Sequence, residues 1–320
     1  MLTKKKISIV PVSYKDEGNI EELYKRVVKV MQEVTSDYEI IYVNDASPDK
    51  SQEILESLAG KDKRVTVITH SRNFGNQSAF STGMEQALGD AVVIMDGDLQ
   101  DPPELIVDFV KKWQEGYDVV YGHRSKREKS MGKFWELVQH NFHVFFSRIS
   151  YVKMPVDVGE FSLMDRKVVD IINSLPEKDR FVRGLRAWAG FRQIGVSYVR
   201  PERFWGTGVA TSGVSRKLYW VRKEVFTFSY APFDWIFYSA IVGIFVTLIT
   251  VLLYLGVAIF APTGARLFSP VAILVLFVGS VQLVCVSIVA EYLRRILEEV
   301  KNRPYAVVQK IINDHRISKK

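Results

Sequence analysis

From Ile7 to Tyr121 the chain alternates short apolar runs with longer segments that are apolar on one face only. Ile7–Val12, Tyr38–Val43, Val65–Thr69, Ala91–Met95 and Val119–Tyr121 are rich in β-branched and aromatic residues and predict strands. Between the first two, Asn19–Val34 carries Ile20, Leu23, Val27, Val30 and Val34 at helical spacing. Gln52–Leu58 and Gln77–Leu88 predict further helices. So does Pro103–Gln114, with a proline near its start, where a missing N–H costs little. Strands alternating with helices predict an α/β domain with a mostly parallel sheet. Ligands bind beyond the carboxyl ends of such strands. Three polar clusters fall there: Tyr14–Glu17, Asn44–Asp49 and Asp96–Asp101.

The pattern changes towards the C-terminus. Trp235–Ala261 runs for 27 residues without a charge, and Leu267–Ala290 for 24. About 20 helical residues cross a ~30 Å hydrocarbon core. Buried helices of soluble cores are usually shorter and seldom lack charge for so long. With the turn-like Pro262-Thr263-Gly264-Ala265 between them, the two runs predict a transmembrane hairpin. Arg216, Lys217, Arg222 and Lys223 precede it, and Arg294, Arg295, Lys301, Arg303 and Lys310 follow it, whereas the connection carries only Arg266. The positive-inside rule places both ends in the cytoplasm. The apolar stretch after Lys4, Lys5 and Lys6 is too short for a signal peptide. The expected organisation is a cytoplasmic domain over 1–213, an interfacial amphipathic segment or plain linker over 214–232, the hairpin over 233–292 and a basic cytoplasmic tail over 293–320.

Composition agrees with this division. Charged residues make up 25% of the 320 positions and apolar residues 48%, with the apolar ones concentrated in the hairpin. That excludes intrinsic disorder, and the single cysteine, Cys285, excludes a disulfide scaffold and a cysteine zinc site. The net charge of +7 favours an anionic partner. The basic residues cluster at the membrane ends, so nucleic acid is not the expected partner. No dinucleotide-binding glycine motif follows the first strand, and no phosphate-binding P-loop occurs.

Asp96-Gly97-Asp98 directly follows an apolar strand. Two carboxylates one residue apart at a strand end can face one hard cation, and Mg²⁺ or Mn²⁺ suits such oxygen ligands together with substrate phosphates. Taken alone, the same residues would as readily form a solvated acidic turn before Pro102. Asp45 at the end of the second strand could accept from a base N–H or a ribose hydroxyl, while Ser47 or Asp49 caps the next helix. His140 and His143 lack a third ligand and read as structural or interfacial.

Several motifs taken together are more specific: Ile9–Glu17, Val43–Asp49, Ser71-Arg72-Asn73-Phe74-Gly75, Asp96–Glu104, Gly159–Arg166, Arg200–Gly206 and, after the hairpin, Glu291–Pro304. This set resembles glycosyltransferase family two with its GT-A fold. Within it, the chain looks most like polyprenyl-phosphate glycosyltransferases of the bactoprenol glucosyltransferase and dolichol-phosphate mannose synthase types. The resemblance implies that Pro11, Tyr14, Asp16, Glu17, Asp45, Arg72 and Asp96 bind a nucleotide sugar. It implies that Asp96, Asp98 and Gln100 surround Mg²⁺ or Mn²⁺, and that Arg124, Arg200 and Arg203 meet phosphates. Glu160 stands where the family usually has the aspartate of G-D-F-R-L, often proposed as the catalytic base; Asp157 in the same loop is the second choice for a functional acid there. Relatives imply a tetramer, a uracil base (with guanine still open) and a lipid phosphate acceptor.

The chain departs from the family at defined places. Y-N-E is Tyr14-Lys15-Asp16 with Glu17 next, D-D-G-S is Asn44-Asp45-Ala46-Ser47, and G-D-F-R-L is Gly159-Glu160-Phe161-Ser162-Leu163. The first two changes are tolerable where backbone groups serve; the third bears on the acceptor side and the donor sugar. A processive polysaccharide synthase would need more membrane helices and a Q-x-x-R-W motif. A non-catalytic nucleotide-sugar sensor would have little use for an intact Asp96, Asp98 and Gln100.

Overall fold

The computed structural model describes residues 1–126, 146, 148–155, 158–206, 225–260 and 270–316. They fall into two compact units. The first comprises Met1–Ser147, Val152–Gly213 and Arg303–Lys320; the second comprises Arg148–Tyr151 and Val214–Asn302.

The first unit is an α/β domain. Its elements are β1 (Ile7–Ser13), α1 (Ile20–Val34), β2 (Tyr38–Asn44), α2 (Ser51–Lys61), β3 (Val65–His70), α3 (Asn76–Gln86) and β4 (Ala91–Asp96). A 3₁₀ turn at Pro103–Leu105 leads into α4 (Ile106–Gln114), then β5 (Val119–Lys126), β6 (Val158–Asp165), α5 (Arg166–Ser174), α6 (Val182–Trp188) and β7 (Gln193–Val199). One eight-stranded sheet runs β7-β5-β6-β4-β1-β2-β3-β8, where β8 is Val308–Ile312. β1 pairs in parallel with β2 and β4, β2 with β3, and β5 with β7. β6 lies antiparallel to β4 and β5. Helices cover both faces of the central strands, so all of β1 and β2 is buried. The expected stripe of α1 is buried, joined by Met31. β1 has β2 on one side and β4 on the other, so the chain reverses its order there and opens a crevice at their carboxyl ends.

The segment expected as a basic tail is divided in the structure. Through Val300 it continues a helix, and Val308–Ile312 then pairs antiparallel with β3, Ile68 opposite Ile311. Asn313 Nδ2 donates to the carbonyls of Ala59 and Val65, and Lys310 lies 2.9 Å from Glu56. The strand covers a sheet edge that would otherwise present unpaired backbone groups. Its Val-Gln-Lys-Ile-Ile sequence is too short and mixed to declare itself among basic residues.

The second unit contains α7 (Ala231–Phe260) and α8 (Pro270–Val300). Ala231–Leu253 and Leu274–Val300 are long and apolar enough to cross a membrane, and neither is buried within the protein. Both helices pass the expected hairpin limits, starting at Ala231 and ending at Val300. The charged turns after Ala290 stay helical because Arg294 pairs with Glu291 and Glu298 one turn either side. Phe233 stacks on Tyr292 at 4.1 Å, and Tyr292 Oη donates to the Ser229 carbonyl. The turn at 262–265, Arg266, His140, His143 and the basic residues 216–223 lie outside the described residues.

Candidate active site

Three loops build the crevice. After β1, the Tyr14 amide donates to Asp16 Oδ2 and Asn19 Nδ2 to Asp16 Oδ1. This loop is knitted to the one after β2: Lys15 N donates to Ser47 Oγ at 2.7 Å, Glu17 N to Asp49, and Lys50 N back to Glu17. After β4, Gly97 N donates to the Val12 carbonyl. A Cβ at Gly97 would stand 2.6 Å from that oxygen, so glycine is what lets the acid-bearing loop close onto β1. Lys15, Ala46 and Leu99 adopt positive φ, one in each loop. Lys15 and Ala46 are two of the departures noted above, standing where the family has Asn and Gly. Asn and Gly are the residues that tolerate this backbone best.

The β4 loop places acids in a tight group with arginines. Asp98 and Asp101 are buried and Asp96 partly so. Asp98 Oδ1 accepts from the Gln100 amide, and Asp98 Oδ2 lies 2.7 Å from Arg203 Nη2. Arg203 Nη1 is 3.3 Å from Asp16 Oδ1, so one guanidinium spans the β1 and β4 loops. The same Arg200–Gly206 segment accepts from Gln100 Nε2 at the Pro201 carbonyl and from Asn19 Nδ2 at the Trp205 carbonyl. Asp101 accepts from the Asp96 amide and from Tyr198 Oη, which also receives Arg124 Nε at 3.5 Å.

Charge is unevenly satisfied here. Burial pushes the Asp96 carboxyl well above its ordinary value; Asp101 and Asp98 push it further, while Arg200 and Arg124 oppose. Burial likewise raises Asp101, and raises Asp16 to about 6. Among the described residues Arg200 Nε is buried without a partner. No three His, Cys, Asp or Glu side chains converge on a metal position among the described residues. A pair of hard oxygen donors with excess negative charge fits a divalent cation completed by substrate phosphates.

Asp45 follows β2 directly and holds the loop before α3. It is 2% exposed. Its Oδ1 accepts from Phe74 N and lies 2.8 Å from His70 Nδ1, and its Oδ2 accepts from Gly75 N. Both oxygens hold the loop before α3. Pro11 is buried within β1 opposite Met95, behind the crevice rather than at its mouth. Arg72 is exposed and lies over the Phe74 ring at 4.1 Å. Tyr14 and Glu17 stay at the β1 loop.

The acceptor-side acid sits on β6. Glu160 Oε1 accepts from Gln77 Nε2 at 3.1 Å, and Glu160 Oε2 is buried without a partner among the described residues. Arg186 of α6 is 1% exposed, and its guanidinium donates to the backbone carbonyls of Glu160 and Gly159. Burial lowers Arg186 to about 10, which still leaves a cation beneath β6 at neutral pH. Asp157 lies outside the described residues. Thus the structure gathers Asp16, Asp96, Asp98, Gln100, Arg124, Arg200 and Arg203, and leaves Asp45, Pro11 and Arg72 apart. Sequence reasoning missed Asp101, Tyr198, Gln77 and Arg186. Only Asp101 carried a signal, as the third acid of one run.

The profile described as "Glycosyl transferase family 2" matches residues 8–172. An uncharacterized glycosyltransferase of Bacillus subtilis, YkcC, is 39% identical over 302 residues, 94% of this chain and 92% of that protein. The SfII prophage-derived bactoprenol glucosyl transferase of Shigella flexneri is 35% identical over 313 residues, 95% of this chain and 98% of its own length. Among solved structures, a mannosyltransferase of Pyrobaculum calidifontis in complex with GDP-Man and Mn²⁺ aligns with a TM-score of 0.43 and 18% identity. That alignment covers 63% of this chain and 59% of the other.

Proposed function

Because this chain belongs to glycosyl transferase family 2, we propose that it transfers a sugar from a nucleotide sugar, a UDP-hexose, to polyprenyl phosphate at the cytoplasmic face of the cell membrane. The observation that carries this reading is the opposition of Asp96, Asp98 and Asp101 to Arg124, Arg200 and Arg203 at the point where the strand order reverses. It stands in a chain similar along nearly its whole length to a bactoprenol glucosyl transferase. Asp96 and Asp98, with Gln100 beside them, would hold Mg²⁺ or Mn²⁺, whose charge neutralises a leaving diphosphate.

The chemistry is a single displacement. A phosphate oxygen of the lipid attacks the anomeric carbon, the bond to the nucleoside diphosphate breaks, and the anomeric configuration inverts. The attacking group is already an anion, since the second pKa of a phosphate monoester is about 6. Little proton abstraction is needed, so Glu160 positions the lipid phosphate or the sugar rather than serving as an obligatory base. What the site must supply is attraction between two anions, and Arg124, Arg200 and Arg203 supply it. α7 and α8 anchor the chain in the bilayer, with basic residues on the cytoplasmic side.

A donor screen tests this reading. Membranes holding the protein are given polyprenyl phosphate, Mg²⁺ or Mn²⁺ and a panel of UDP- and GDP-sugars, and nucleoside diphosphate release is followed with the glycolipid. The expected result is lipid-dependent release from one UDP-hexose. Release from none, with donor binding that still needs metal, would favour a sensor instead. A pH–rate profile that tracks a carboxylate, rather than the lipid phosphate, would contradict the part given to Glu160.

A further inference from the structure

Glu160 is longer by one methylene than the aspartate usual at its position, and so has one more torsion to be fixed. The structure holds it through Gln77. Gln77 is the second residue of α3 and 7% exposed. Its Oε1 accepts from the Val182 amide at 2.7 Å, at the start of α6, and its Nε2 donates to Glu160 Oε1 at 3.1 Å. Three elements, α3, β6 and α6, therefore meet at this one amide.

The orientation of that amide is dictated by its partners. Val182 N–H is a donor only, so it requires an oxygen. Flipping Gln77 would set an NH₂ against an N–H on one side and an oxygen against a carboxylate oxygen on the other. With Nε2 directed at Glu160, Oε1 of that carboxylate is occupied as an acceptor. Among the described residues Oε2 remains buried and without a partner. A buried carboxylate oxygen left unpaired costs free energy, unless a bound group pairs with it. Beneath it the Arg186 guanidinium holds the backbone of Gly159 and Glu160, so strand and side chain are pinned separately.

We propose that Gln77 is the positioning residue for Glu160, locking its Oε1 and presenting Oε2 on the acceptor side, where a hydroxyl of a bound group can donate to it. This rests on the reading of Glu160 as the acceptor-side acid. Gln77 also joins the two halves of the site. The same helix begins at the loop whose Phe74 and Gly75 amides Asp45 holds, so the N-terminal end of α3 meets both that loop and the acceptor-side acid.

The test uses the full chain in membranes. Gln77→Glu keeps an acceptor for Val182 N–H but has no hydrogen to give Glu160 unless the two carboxyls share a proton. Expected are a kcat 10- to 100-fold lower, on the order of what a small misplacement costs, with donor KM unchanged. A protonated-carboxyl infrared band absent from the wild type should also appear, and should disappear in Gln77→Glu/Glu160→Gln. A kcat within twofold of wild type would overturn the inference. So would a loss of activity without the new band, which marks mere structural damage. A wild type that turns over no donor would instead overturn the proposed function, and with it the role given to Glu160. The infrared band separates the two failures, because it does not depend on turnover.

Discussion

Two acids end neighbouring strand systems of the same sheet and look alike in sequence: Asp45 after β2 and Asp98 after β4. Asp45 is surrounded by donors from its own chain, two backbone amides and His70. Asp98 has one amide and a guanidinium that is 24% exposed, and it sits beside Asp96, whose charge is poorly compensated. One carboxylate holds a loop of its own chain through both oxygens. The other belongs to a group with more negative charge than the fold itself neutralises. A strand-end position does not identify a binding acid; the balance of charge around it does.

The largest effect expected from this contrast is on turnover. Asp98→Ala or Asp96→Asn should lower transfer on the order of 100-fold or more. Asp96→Asn should also raise the melting temperature in metal-free buffer, because it removes a charge that burial disfavours. A stability loss with activity retained would reverse the roles given to the two loops. Asp45→Ala should do the opposite, costing roughly 3 kcal/mol of stability by leaving three donors without an acceptor. Urea unfolding of the detergent-solubilised chain measures it, and a loss under ~0.5 kcal/mol would contradict the structural role.

A pH experiment sharpens the same comparison. Burial raises Asp16 from 3.8 to about 6, so the folded chain holds this proton more tightly than the unfolded chain does. The stability this group contributes is complete below about pH 4 and is lost as pH rises through about 6. Asp16→Asn should therefore stabilise the metal-free protein near pH 7 and change it little near pH 4. An equal shift at both pH values would mean that Asp16 is charged in the fold throughout. The smallest effect concerns the strained loops. Ala46 and Lys15 hold positive φ, so Ala46→Gly should gain about 0.5–1 kcal/mol, the relief of a left-handed residue less the entropy glycine costs. A loss in thermal unfolding would show that Ala46 makes a contact worth more than its strain.

Much of this was legible from local pattern. The apolar runs locate the first five strands, the stripe of α1 locates its buried face, and Asp96-Gly97-Asp98 marks the acid loop. What was not legible depends on contacts distant along the chain. Asp45 reads as a ligand until Phe74 and Gly75, some 30 residues on, turn out to hold it. Gln77 sits in an ordinary helical stretch, and its partners Glu160 and Val182 lie 83 and 105 residues away. β8 is a strand because β3 offers it an open edge, a fact about the sheet rather than about Val308–Ile312.

The central claim is that the β4 acids, and not Asp45, form the metal-dependent donor site. Calorimetric titration of UDP into the full-length protein, with and without Mn²⁺, tests it most directly. The account predicts binding that requires Mn²⁺ in the wild type, is lost in Asp98→Ala, and persists in an Asp45→Asn chain that remains folded. Metal-independent binding of equal strength in wild type and Asp98→Ala would contradict it.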